Sequence, residues 1–286
     1  MKKMLSILLG FILVCGTAFP QDVDLEKEKE AIKRAALDYI DGAHEGNAMR
    51  MERAVHPELT KVTLMKFPQT GRTVLRKAGS TRLIELIRAN VAPLDEDKRN
   101  IEVTIFAMKE GLAAVRAVSA MFYDYLLMAN IDGQWKLINV LWRRNEKANT
   151  EGNADNMEKE KAAIKRTALD YIDGSFSGDE IRMERALHPE LMKVIPVTLP
   201  QTGKTMLDKM GAQLLIEGTR AKLGLLDEEK RNIEVTILDV NQDIAMVEVI
   251  SAMYYDYLQI ARFDGQWKIV NVLWKMNPTA PRRNRR

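Results

Sequence analysis

Asp124 and Asp256 each sit in a stretch whose other same-side residues are apolar. Ala120, Phe122, Leu126 and Met128 accompany the first, and Ala252, Tyr254, Leu258 and Ile260 the second. A carboxylate on an apolar face must find a partner or have its pKa pushed upward. Binding and catalytic carboxylates are often placed this way, and so is a structural aspartate bonded to a tyrosine hydroxyl or to backbone N–H groups. His56 and His188 are the histidines that recur at equivalent positions, whereas His44 aligns with Phe176. An imidazole there could act as acid, base or donor to a ligand, or could bond carbonyls at a helix end. Asp124, Asp256, His56 and His188 are therefore the candidates for catalysis. Tyr39 and Tyr171, with hydroxyls expected to point inward, join them as candidates to line a ligand pocket with Phe122, Trp142, Tyr254 and Trp274. The four tryptophans, Trp135 and Trp267 included, either floor a site for a flat ligand or pack in a sheet core.

One shared histidine and no cysteine near these positions argue against a metal site. Gly203-Lys204-Thr205 imitates the end of a phosphate-binding loop, but Thr198 stands where its first glycine must be, and the equivalent segment reads Gly-Arg-Thr. No dinucleotide fingerprint, nucleophile elbow or HExxH motif is present, so no cofactor is expected.

The elements that must carry these side chains follow from periodicity. Ile32, Ala35, Ala36, Tyr39, Ile40 and Ala43 recur at helical spacing, with Arg34, Asp38, Asp41 and Glu45 opposite, which predicts an amphipathic helix. It stops at Gly46, and Asn47 (Asp179 in the second copy) caps a short helix through Ala54. His56-Pro57 ends that helix. A short strand over Leu59 to Thr63, a turn at Gln69-Thr70-Gly71 and a third helix from Val74 to Ala89 are expected next. Ile101 to Met108 and Gly111 to Met128 read as strands, and the Asp132-Gly133 turn leads into a last strand from Trp135 to Trp142. Tyr123, Tyr125, Tyr255 and Tyr257, with Ser119 and Ser251, alternate onto the face opposite the aspartates, which suits a sheet-to-sheet pairing surface. Helices followed by a long meander predict an α+β domain.

That domain is written twice. AIKRAALDYIDG at 31–42 returns as AIKRTALDYIDG at 163–174, and MERAVHPEL, PQTGRT, KRNIEVTI, SAMFYDYL and DGQWKLINVLW all recur at the same offset. Roughly 70 of 120 aligned positions are identical, over far more than the 20–50 residues of a solenoid repeat. Asn145 to Asn156 is polar, without apolar periodicity, and reads as a linker.

At the N-terminus, Lys2 and Lys3 precede an apolar run from Met4 to Val14 and then Gly16, Thr17 and Ala18, the pattern of a secretory signal peptide. Cleavage is expected after Ala18 or before Gln21, giving an exported, periplasmic or secreted protein. Cys15 offers a lipoprotein alternative, against which Val14 is bulky. The run is too short for a stable membrane span. The formal charge of +3 belongs to the chain's ends. Taking Lys2, Lys3, Arg282, Arg283, Arg285 and Arg286 from the 43 basic residues leaves 37 against 40 acidic ones, which argues against a nucleic-acid groove. The expected division is a signal over 1–20, domains over 26–143 and 158–277, a linker over 144–157 and a basic tail over 278–286.

YIDG followed by Gly-Asn or Gly-Asp, then RMERA, HPEL, YDYL, DGQWK and VLW, resembles the nuclear transport factor 2-like (SnoaL-like, cystatin-like) superfamily and, within it, the bacterial lumazine-binding branch. The resemblance implies two tandem cone-shaped domains, each with three N-terminal helices packed on a curved antiparallel sheet and a pocket between them. It also implies sheet-to-sheet pairing, within the chain or as a homodimer. A small-molecule ligand of unknown identity, partly apolar or aromatic, is the expected partner. The alternatives are a SnoaL-type proton-transfer enzyme, with the aspartate as base and His or Tyr as acid, and a protein-binding scaffold. In ketosteroid isomerase, which shares this fold, a first-helix tyrosine polarises the substrate; the resemblance places that role on Tyr39 and Tyr171. The isomerase's base would fall near Thr63-Leu64 and Ile195-Pro196, where no carboxylate stands.

Overall fold

The computed structural model describes residues 25–146 and 154–280. The segment expected to be a signal, with Cys15, half of the expected linker and the last six residues lie outside them. Each copy folds as two helices, a β-hairpin, a third helix and four further strands. In the first copy these are α1 (Leu25–Glu45), α2 (Ala48–Ala54), β1 (Val55–Lys66), β2 (Thr73–Gly79), α3 (Ser80–Arg88), β3 (Glu102–Lys109), β4 (Leu112–Val118), β5 (Phe122–Ile131) and β6 (Gln134–Arg144). The second repeats the order as α4 (Ala154–Ser177), α5 (Glu180–Ala186), β7 (Leu187–Thr198), β8 (Thr205–Gly211), α6 (Ala212–Arg220), β9 (Glu234–Asn241), β10 (Ile244–Ile250), β11 (Tyr254–Phe263) and β12 (Gln266–Met276). The sheets run β2-β1-β6-β5-β4-β3 and β8-β7-β12-β11-β10-β9. The α+β class holds, with helices against one face of each six-stranded sheet.

Several local expectations change. The sheet is mixed, because β1 pairs parallel to β6 and β7 parallel to β12. The expected third helix begins late: Thr73–Gly79 is a strand paired antiparallel with β1, Leu64 opposite Leu75. The turn before it, in which Gly71 takes a φ of +70°, folds the chain back along β1. Helix α3 thus follows a hairpin, and the segment's apparent helical face mixed a strand alternation with a true helix. Strand β1 has 12 residues and carries His56-Pro57 inside it. The expected strand from Gly111 to Met128 is two strands. Between them the Ser119 Oγ accepts from Met121 N at 3.3 Å and Phe122 N at 3.1 Å, so Ser119 shapes a turn rather than a pairing surface. Ala120 is exposed in that turn, off the aspartate's face. Helix α4 starts at Ala154, inside the stretch read as linker.

The repeated strings are mostly explained by one joint. Gly42 lies where α1 meets α2: a Cβ there would sit 3.1 Å from the Arg50 Cβ and 3.3 Å from the Asn47 carbonyl oxygen. Asn47 caps α2 by accepting from Arg50 N. Asp38, expected on a solvated face, is instead buried. It takes hydrogen bonds from Arg53 at 2.7 and 2.8 Å and from Arg50 at 3.2 Å. Asp41 ties Arg50 to Arg99, at 3.3 and 2.9 Å. Asp170, Asp173, Arg182, Arg185 and Arg231 repeat the network. YIDG, RMER and KRN are therefore parts of one helix-to-helix clamp. The DGQW turn is another fixture, since Trp135 donates to Glu28 and Trp267 donates to Glu160 at 2.6 Å, fastening the first helix of each copy to the last strand.

Two apolar clusters lie between helices and sheet, one per copy. A third is shared by both copies and includes Val62, Tyr125, Leu127, Val194, Tyr257 and Leu273. Asn139 and Asn271, equivalent in the repeat, meet there: Asn139 Nδ2 donates to Asn271 Oδ1 at 3.3 Å. Asp132 accepts from Thr205 N at 2.9 Å and Asp264 from Thr73 N at 3.0 Å, so each copy's hairpin turn caps a strand of the other.

Burial alone would raise the Asp38 and Asp170 carboxyls, but the arginine hydrogen bonds outweigh it and hold both below the ordinary value of 3.8. A carboxyl depressed on folding contributes stability that is present above its unfolded pKa and is lost as pH falls through the folded one. Asp38→Asn should cost about 2 kcal/mol at pH 7, as loss of hydrogen bonds to a charged group does. In urea unfolding that cost should shrink as pH falls from 7 toward about 2.5. A pH-independent cost would contradict the assignment.

Candidate functional site

Strand β1 brings Lys61 to the helix-covered face of the sheet, β5 brings Asp124, and α1 lowers Tyr39 between them. Asp124 is fully buried and Lys61 nearly so. Tyr39 donates to Asp124 Oδ1 at 3.0 Å, Lys61 Nζ donates to the same oxygen at 3.2 Å, and Lys61 also donates to the Tyr39 hydroxyl. The ammonium lies 4.6 Å from the ring centre of Trp142, 5.0 Å from Tyr39 and 5.7 Å from Phe122, a geometry that suits cation–π attraction. The second copy repeats this. Tyr171 donates to Asp256 Oδ1 at 2.9 Å, Lys193 does so at 3.1 Å, and Trp274 stands 4.3 Å from the Lys193 ammonium.

These groups perturb one another. Burial pushes the Asp124 carboxyl up, against the pull of Lys61 and Tyr39. Burial pushes the Lys61 and Lys193 ammonium groups down, against the carboxylates that favour their charge. Tyr39 and Tyr171 rise well above a tyrosine's ordinary range, by burial and then by the neighbouring carboxylate, and act as neutral donors. One oxygen of each carboxylate stays unmet: Asp124 Oδ2 and Asp256 Oδ2 have no hydrogen-bond partner among the described residues. Such an atom is expensive to leave so.

A cavity of about 210 Å³ opens over the first cluster, lined by Tyr39, Lys61, Phe122, Asp124 and Trp142 below and by β2 and α3 above. A second of about 350 Å³ lies over Tyr171, Lys193, Tyr254 and Trp274, under β8 and α6; Asp256 is not in its lining. The first is small for a ligand site, and the second lies at the low end of the usual range. In the second, the indole N–H of Trp274 has no acceptor among the described residues. The copies also exchange a ring pair: His44 stacks on Phe122 at 5.6 Å, where Phe176 stacks on Tyr254 at 6.0 Å.

The structure therefore gathers Tyr39, Phe122, Asp124 and Trp142 into one site, and Tyr171, Tyr254 and Trp274 into another with Asp256 directly behind. It does not bring the expected histidines there. His56 and His188 are absent from both linings; they lie half-buried on β1 and β7, where Nδ1 accepts from Glu58 N and from Glu190 N, each at 3.1 Å. Trp135 and Trp267 serve the helix fixture instead. Sequence reasoning missed Lys61 and Lys193. Their signal was present, because the lysine recurs where Thr60 has become Met192 and Thr63 has become Ile195. Among the described residues no group of three His, Cys, Asp or Glu could hold a metal ion, and no helix is long and apolar enough to cross a membrane.

Comparison with curated proteins returns no match. Among solved structures, the chain is similar to an NTF-2 like protein of unknown function from Silicibacter pomeroyi DSS-3. That match is at 19% identity and a TM-score of 0.35, covering 42% of this chain and 98% of that one. It is also similar to a cystatin-like fold protein of unknown function from Nostoc punctiforme PCC 73102, at 15% identity and a TM-score of 0.32, covering 43% and 95%. Each match spans about one copy of the repeat. The family model described as "Putative lumazine-binding" matches twice, over residues 27–143 and 159–275. The chain thus belongs to that family, as a tandem of two of its domains.

Proposed function

We propose that this is an exported, non-catalytic binding protein whose two cavities each hold a small, partly aromatic ligand. The observation that carries the reading is the buried carboxylate at the floor of the first cavity, with one oxygen tied to Lys61 and Tyr39 and the other without a partner among the described residues. A flat ligand with an N–H or O–H donor satisfies that oxygen while covering the rings. The family's description is consistent with such a ligand. Proton transfer is the weaker reading. It called for His56, Asp124 and Tyr39 in one cavity, and a lysine occupies the carboxylate in the place foreseen for the histidine. An ion-paired carboxylate whose nearest donors are a lysine and a neutral tyrosine is a poor general base. The scaffold reading, paired sheets with no occupied pocket, is weaker too, since it leaves the unmet carboxylate oxygen of a cavity-lining residue without a role.

Pairing of the two domains within one chain, rather than between molecules, is part of the proposal. A directional hydrogen-bond chain supports it: Asn139 donates to Asn271, Asn271 to Gln259 at 2.7 Å, and Gln259 to the Tyr125 carbonyl at 2.8 Å. The residue equivalent to Gln259 is Leu127, so two first domains would lack the link and two second domains would duplicate it. Export rests on the lysine pair, apolar run and small residues at the N-terminus.

N-phenyl-1-naphthylamine, a neutral aromatic amine, should bind the full chain saturably. Trp142→Ala with Trp274→Ala should weaken it by at least about tenfold, the scale on which losing a large buried aromatic contact is felt; unchanged affinity would refute the cavities as sites. The protein recovered from its source should sediment as one chain with an N-terminus near Phe19 or Gln21. A two-chain particle would contradict the intrachain pairing, and a retained Met1 would contradict export.

A further inference from the structure

The floors of the two cavities share a tyrosine, a lysine and a tryptophan, with Tyr254 in place of Phe122 and Asp256 behind the second lining, whereas their mouths differ in charge. Arg76 on β2 and Arg82 on α3 line the first cavity, are exposed, and have no ion-pair partner among the described residues. Lys77 beside them is occupied, 2.7 Å from the Glu190 carbonyl and 3.1 Å from its carboxylate. Two clefts that share Trp142 with the first cavity add Arg144, together with Glu146. At the equivalent positions the second copy has Asp208 for Arg76, Leu214 for Arg82, Met276 for Arg144 and Pro278 for Glu146. Counting these four positions, the first copy carries a net charge of +2 and the second −1, and of the second copy's four only Leu214 lines its cavity.

Packing does not account for the difference. The arginines of the α1–α2 clamp are all paired and all repeated between copies. Arg76 and Arg82 are neither. Two unpaired guanidiniums at the rim of an aromatic-lined cavity form a receptor for an oxyanion, since each offers forked donors that match a carboxylate, sulfonate or phosphate. The second rim is apolar instead: Leu214 is 60% and Leu223 67% exposed, and both line that cavity. Inside it the unmet group is a donor, the Trp274 indole N–H.

We propose that the two domains are specialised, the first cavity taking an aromatic acid whose anionic group is met by Arg76 and Arg82, and the second a neutral aromatic ligand with a hydrogen-bond acceptor. This rests on the binding reading above and deepens it. The ring of the first ligand lies over Trp142 and Phe122 with its donor toward Asp124, and its anion sits outside, where burial costs least. The acid of the ligand thereby stays away from the buried carboxylate.

The test compares N-phenyl-1-naphthylamine with 8-anilinonaphthalene-1-sulfonate, the same ring system carrying a sulfonate, by calorimetric titration of the full chain. The neutral probe is expected to fill two sites and the sulfonate one. Arg76→Gln with Arg82→Gln should lower the ratio of sulfonate to neutral affinity at least tenfold and flatten its salt dependence. Asp208→Arg with Leu214→Arg should create a second sulfonate site. A sulfonate that fills both sites of the wild-type chain equally, or a ratio indifferent to the arginine pair, would overturn the specialisation and leave the binding reading intact. If the neutral probe fails to bind at all, the binding reading falls and this inference falls with it.

Discussion

An ammonium group buried under a helix is the constraint that organises each domain. Moving a lysine out of water costs several kcal/mol unless a countercharge and hydrogen bonds meet it. Lys61 is met by three elements at once: a carboxylate from β5, a hydroxyl from α1 and ring faces from β5 and β6. That convergence depends on the parallel pairing of β1 with β6, which sets Lys61 opposite Val140 while Asp124 lies opposite Trp142. The parallel pairing depends in turn on how α1 and α2 deliver the chain into β1. The clamp of Asp38, Asp41, Arg50, Arg53 and Arg99 around the close approach at Gly42 fixes that delivery. Scaffold and site are therefore one mechanical chain, from helix clamp to strand register to charged floor.

Stability alone does not require such a floor. A buried ion pair can usually be replaced by apolar residues of similar volume without loss, and sometimes with gain. Its retention in both copies, while many neighbouring positions have drifted, fits a group kept for what it presents to the cavity. In the first copy the unmet oxygen, Asp124 Oδ2, belongs to a residue that lines the cavity, whereas Asp256 stands behind the second lining. Above the floor the constraint relaxes, and there the two copies part: arginines frame one mouth and leucines the other.

Much of this was legible in the sequence, for identifiable reasons. The duplication, the amphipathic first helix and its apolar face were readable because periodicity and repetition are local signals. Asp124 and Tyr39 stood out because each breaks or decorates an apolar face. Lys61 escaped because its strand alternates weakly: β1 exposes Pro57 and Glu58, buries Leu59, and reads locally as polar. Strand β2 reads as helix because Thr73–Gly79 runs without a break into α3, and only the turn at Gly71 with the pairing to β1 decides otherwise. The histidines misled for the opposite reason. Each accepts a local bond within its own strand, from Glu58 N or Glu190 N, which sequence alone cannot distinguish from chemistry.

The account's central claim is that the Lys–Asp–Tyr floor recognises a ligand rather than merely holding the fold. Native mass spectrometry of the chain recovered from its source tests this when the wild type is compared with an apolar-floor variant: Lys61→Met, Asp124→Leu, Lys193→Met and Asp256→Leu together. The account predicts a wild-type chain carrying a retained small molecule and a variant that is folded, at least as resistant to urea, and empty. A folded variant that retains the same molecule, or a wild type that carries none, would contradict it.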